Sequence, residues 1–123
     1  MKIKISSDAE DDLINGFWFY ENNQSGLGKY FRSSVIADID SLNIYAGIHA
    51  KHHRFHRKLC RSFPYTIYYK MDNPSLAIVV AVLDQRLDPD TIQIRSGNVL
   101  EKSRHNKTLD RSRVVVMIGS RGM

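Results

Sequence analysis

The chain has 123 residues, 42% of them apolar, and a formal net charge of +5, which suits one domain with its own core and is too short for two. The lone cysteine, Cys60, excludes an internal disulfide, and the longest apolar run, Leu76 to Leu83, falls far below the roughly 20 residues of a membrane helix. Nothing in residues 1–7 resembles a signal peptide, so a cytoplasmic protein without membrane contact is expected.

Lys2 to Ser6 alternates polar and apolar residues, which predicts a short strand. Ser7 with Glu10 three residues on makes a capping box, and Leu13, Phe17 and Tyr20, joined by Ile14 and Trp18, predict a helix to about Asn22. Asn22 to Gly28 predicts a turn, in which Gly26-x-Gly28 lacks the context of a phosphate loop. Leu27, Phe31, Val35, Ile39 and Leu42 then predict a second amphipathic helix to about Ile44, with Lys29, Arg32, Asp38 and Asp40 elsewhere around it. Gly47 ends it. From His49 the period becomes two: Phe55 and Leu59 alternate with Arg54, His56 and Lys58, and Tyr65, Ile67 and Tyr69 with Thr66, Tyr68 and Lys70. Asp72 to Ser75 predicts a hairpin turn, and Leu76 to Leu83, apolar on both faces, a central strand. Ile92 to Arg95 suits one more short strand.

The charge excess is uneven. Residues 1–95 carry 12 Lys+Arg against 11 Asp+Glu, and residues 96–123 carry six against two, so two units are expected: a domain over 1–95 and a basic tail over 96–123. Within the domain, no acid lies between Asp40 and Asp72, and Arg54, Arg57, Lys58 and Arg61 crowd that stretch, a cationic surface for a phosphate backbone or an acidic partner. A solvated basic face is the plainer alternative. Trp18, Phe17, Phe31, Phe63 and Tyr69 are assigned to the core, and Cys60 to a half-buried packing position. His49, His52, His53 and His56 lie within eight residues, and imidazole serves acid–base chemistry or metals. On a strand, however, His52 and His56 are about 13 Å apart and His53 points away, so no metal and no cofactor is expected. Were the segment helical, the four would line one side and favour a metal.

The order strand-helix-helix-strand-strand-strand, the phrase Arg61-Ser62-Phe63-Pro64-Tyr65-Thr66-Ile67-Tyr68-Tyr69, and Ala81-Val82-Leu83-Asp84-Gln85-Arg86-Leu87-Asp88-Pro89 after it resemble the RelE/ParE toxins of type II toxin–antitoxin (plasmid stabilisation) systems, more closely the ParE branch, over about Lys2 to Arg95. The resemblance implies an α+β domain with a helical hairpin packed on a small, mainly antiparallel sheet. It also implies a cognate antitoxin that covers the helices or sheet. ParE-type members block DNA gyrase, whereas RelE-type members are metal-independent endoribonucleases that cut mRNA on the ribosome.

RNA cleavage needs cations on the phosphate and a group that carries protons. Arg61 and Arg86 match the phosphate-holding positions of the nucleases, with Lys58 or His56 to assist. The tyrosine or histidine that such nucleases place just beyond the last strand has no counterpart there, since Asp84 and Gln85 stand at that place and no Tyr, Phe or Trp follows Tyr69. Asp84 is expected to pair with Arg86 at the strand end. The preferred expectation is therefore inhibition by binding through Arg54, Arg57, Lys58, Arg61 and Arg86, with a RelE-like nuclease or an inactive homologue as alternatives. The antitoxin segment is expected to be amphipathic and acidic.

Overall fold

The computed structural model describes residues 1–87 and 90–92. In chain order it forms β1 (Lys2–Ile5), α1 (Ser7–Asn23), α2 (Leu27–Asp40), α3 (Leu42–Tyr45), β2 (Lys51–His52), β3 (Phe55–Leu59), β4 (Tyr65–Asn73) and β5 (Leu76–Asp84). The strands make one sheet in the order β1-β5-β4-β3-β2. β1 runs parallel to β5 and every other neighbour is antiparallel. The chain is thus α+β, with α1 and α2 packed on one face of a small mixed sheet.

The helix-side core joins Ile3, Ile5, Ile67, Tyr69, Val79 and Val82 of the sheet to Leu13, Phe31, Val35 and Ile39 of the helices. Each fully buried large apolar side chain contributes about 1.5–3 kcal/mol, against 0–1 for a typical surface ion pair, so this layer decides the fold. β5 is apolar on both faces because it lies between β1 and β4 with packing above and below. On its far side, Phe55, Tyr68, Val80, Ala81 and Ile92 make a second, smaller cluster. A register shift between Tyr68 and Tyr69 leaves Val80 as the extra residue of a bulge in β5.

Several expectations are corrected. Ser6, not Ser7, caps α1: its Oγ accepts from Ala9 N at 3.1 Å and donates to Val80 O at 3.3 Å, which also ties the helix start to β5. The second helix breaks at Ser41, whose hydroxyl donates to Asp38 O at 2.6 Å, and the single turn of α3 follows. The stretch from His49 is not one strand, because His53 and Arg54 have φ of 49° and 76° and turn β2 back onto β3. Thr91 and Ile92 are helical, not extended. Trp18, assigned to the core, is 54% exposed. At 3.6 residues per turn it stands about 140–200° around α1 from Leu13, Gly16 and Tyr20, which face the packed side. Phe31, Phe63 and Tyr69 are buried as expected.

The turn at Pro74–Ser75 lies within the predicted hairpin segment. The remainder of the predicted strand at 92–95 and the tail over 96–123 lie outside the described residues. Among the described residues, no helix is long and apolar enough to cross a membrane.

Candidate functional site

The helices cover one face of the sheet, and the other carries a hollow of about 270 Å³ beside the second apolar cluster, lined by Arg57, Leu59, Thr66, Tyr68, Leu83, Asp84, Gln85 and Leu87. Strand alternation builds it. Arg57 is the register partner of Tyr68, and Leu59 of Thr66, so these four side chains share the outer face. Leu83 opposes Thr66 from β5. Arg57 is half-buried, and its Nε is shielded from solvent with no hydrogen-bond partner among the described residues. A buried donor left unpaired costs about 1–3 kcal/mol, more when charged, which favours an acceptor at this guanidinium.

Asp84 lines the hollow, and Arg86 is paired with it. Arg86 Nε donates to Asp84 Oδ1 at 2.9 Å and Oδ2 at 3.1 Å, its second nitrogen also reaches Oδ2, and its backbone N–H donates to Oδ1 at 2.8 Å. These bonds hold the Asp84 carboxyl below its ordinary range against a smaller opposing effect of burial. The expected strand-end ion pair is present, and Arg86 meets the hollow through Asp84.

The basic residues read together in the sequence are dispersed. Lys58 is the register partner of Ile67 and so projects to the helix side, opposite Arg57. Arg54 is exposed in the β2–β3 turn, at the other end of β3 from Arg61. Arg61 is exposed after β3, its backbone N–H donating to the buried carboxylate of Asp38 at 3.1 Å. Arg61 and Arg86 share one end of the sheet, because Gln85 N donates to Pro64 O at 2.8 Å, but separate carboxylates position them.

His56 is buried on the helix side. Its ring stacks on Tyr69 at 4.9 Å, and its Nδ1 lies 2.6 Å from His49 O. The Tyr69 hydroxyl accepts from Gly47 N at 2.8 Å and meets His49 Nδ1 at 2.5 Å. Burial first, then Lys58 and His56, push the His49 pKa down, and burial pushes Tyr69 up. This network fastens the loop after α3 to β4 and stands away from the outer hollow. Cys60 packs against the helix-side core, and burial with the Asp38 carboxylate beside it lifts its thiol from 9.0 to about 12, so it is no nucleophile.

The positive-φ turn also overturns the strand geometry on which the expectation of no metal rested. His52 and His53 do not point apart: their rings meet at 4.3 Å, and Asp90 joins them. Sequence reasoning missed this trio because Asp90 lies 37 residues from His53 and no local spacing announces it. It also passed over Tyr68, Thr66 and Leu59 as site residues, although their alternation with Ile67 and Lys58 was the available signal.

No protein-family model matches the chain, and a search of curated proteins finds no match to its sequence.

Proposed function

We propose that the chain is the toxin of a type II toxin–antitoxin pair, acting in the cytoplasm by binding its target, with DNA gyrase as the target inferred from the ParE-like resemblance. The observation that carries this reading is Arg57 in the outer hollow, a half-buried guanidinium whose Nε has no partner among the described residues, beside Leu59, Tyr68 and Leu83. An arginine framed by apolar and aromatic walls suits a carboxylate-bearing protein surface, since such anchors carry much of the energy of protein interfaces. Among the described residues, the lining of the hollow has no imidazole and no lysine, and His56 is engaged on the opposite face. That composition favours binding over proton transfer.

The α+β layout supports the family likeness: a helical hairpin on one face of a mainly antiparallel sheet, in the order strand, two helices, then strands. Exposed Ile14, Trp18 and Phe19 on α1 and Tyr30 on α2 offer apolar surface for an antitoxin segment. A second reading, a RelE-like endoribonuclease, is favoured by one observation: Arg57 and Tyr68 are direct cross-strand partners, so a phosphate held by the guanidinium would lie beside a phenol.

Induced in cells, the chain is expected to arrest replication first, with DNA-damage signalling and intact messages. Arg57→Ala is expected to relieve the arrest. Codon-positioned cuts in translated mRNA, lost in Tyr68→Phe, would favour the nuclease instead. Growth unaffected by induction would leave an inactive homologue.

A further inference from the structure

We propose that His52, His53 and Asp90 bind a divalent transition-metal ion of the zinc class, which pins Asp90 and the residues after it to the β2–β3 turn. The inference is independent of the toxin reading. The left-handed φ of 49° at His53 and 76° at Arg54 places two consecutive imidazoles on one side of the backbone, with ring centroids 4.3 Å apart and planes at 68°. On an extended strand, successive side chains point to opposite faces and such a pair cannot form.

The ligating atoms already cluster. Asp90 Oδ1 lies 2.8 Å from His53 Nε2 and 3.7 Å from His52 Nε2, and the potential ligand atoms all fall within 4.8 Å of one another. Zinc bonds of about 2.0–2.1 Å in tetrahedral geometry separate ligand atoms by about 3.3 Å. The two observed distances straddle that value, so small rotations of exposed or half-buried side chains would admit the ion. His52 Nε2 is shielded from solvent and has no hydrogen-bond partner among the described residues. Zinc gives that nitrogen a partner where the described residues supply none, and takes the place of the His53–Asp90 hydrogen bond.

Donor chemistry narrows the metal. Two imidazoles and one carboxylate suit zinc and its first-row neighbours, whereas calcium and magnesium require mostly oxygen and more ligands. Water would fill the fourth position. Lys51 and Arg54 flank the trio, and both are exposed, so their cationic ends have room to extend into solvent. The Asp90 carboxylate offsets part of the added charge.

The site has a structural consequence. Two residues after Asp90, Ile92 is fully buried against Phe55, Tyr68, Val80 and Ala81 on the outer face of the sheet. A metal on Asp90 fixes where this segment meets the sheet, and an ion that binds only the folded chain raises its stability by mass action.

The test uses the full untagged chain, stripped with chelator and titrated with zinc by calorimetry and with cobalt(II) by visible absorption. Expected are one zinc per chain, intense cobalt bands of tetrahedral coordination, and a thermal midpoint that rises with zinc. Asp90→Asn and His53→Asn, the latter chosen because asparagine tolerates a left-handed φ, should each abolish all three without changing the far-ultraviolet circular dichroism. Absence of the cobalt bands in the wild-type chain would overturn the proposal, as would stoichiometric zinc binding that survives the double substitution.

Discussion

Gly16 and Gly28 set how closely α1 and α2 approach. A Cβ on Gly16 would stand 2.5 Å from the Phe31 ring, and one on Gly28 would stand 2.6 Å from the Phe17 carbonyl oxygen and 2.8 Å from Glu21 Cβ. Neither contact has room to relax, because Phe31 is fully buried and the Phe17 oxygen belongs to a helix backbone. Gly16→Ala and Gly28→Ala are each expected to cost about 1–3 kcal/mol by overpacking, read from urea unfolding midpoints; an unchanged midpoint would contradict the packing described. Cys60 offers a chemical check. A thiol lifted from 9.0 to about 12 by burial loses thiolate on the order of a thousandfold, so iodoacetamide should leave it unlabelled in the native chain and label it in denaturant. At this scale the sequence was legible where residue type alone decides, as for Phe31 and Tyr69 in the core. It was not legible where orientation decides: Trp18 faces outward, and Arg32 and Asp38, expected on the polar side of α2, are buried, with Arg32 stacked over Phe17 at 4.4 Å and Asp38 accepting from Arg61 N.

Elements were legible wherever periodicity ran for several turns or strand residues. α1, β4 and β5 stand close to where their patterns put them, and their burial follows from it. Boundaries depended on single hydrogen bonds that no pattern carries. The sequence favours Ser7, with Glu10 three residues on, and the bonds of Ser6 Oγ to Ala9 N and Val80 O decide for Ser6 instead. Ser6→Ala is therefore expected to cost about 1 kcal/mol and Ser7→Ala less than half of that in thermal unfolding; the reverse ranking would restore the cap read from sequence. The loop after α3 yields a prediction in pH. Burial depresses the His49 pKa below its ordinary 6.5, so below that value the unfolded chain takes up the proton more readily than the folded one. Stability should fall as pH drops through about 6.5 and stop falling from this cause once the folded pKa is passed. His49→Gln should flatten the decline of the thermal midpoint in that window, and an equal slope in both proteins would sink the assignment.

Over the whole molecule, the two faces of the sheet divide the work. The helix side holds the main core and the polar network of His49, His56 and Tyr69, and the outer side holds the Arg57 hollow and the small cluster that Ile92 completes. The acid-free run that appears as one cationic surface in the sequence is divided between these faces and the two ends of β3, because alternation sends Arg57 and Lys58 opposite ways and a turn removes Arg54. Charge clustering along a chain does not survive folding into strands, which is why the set of basic residues was legible and their grouping was not. If Arg57 alone reaches the target from the outer face, substitutions on the helix side should leave growth arrest intact, and Lys58→Ala supplies that control. The most direct measurement follows replication and growth after induction of the wild-type chain, Arg57→Ala and Lys58→Ala, with equal levels of folded protein confirmed. The account predicts arrest of replication by the wild type and by Lys58→Ala and its loss in Arg57→Ala; arrest that persists in Arg57→Ala, or that disappears only with Lys58→Ala, would contradict it.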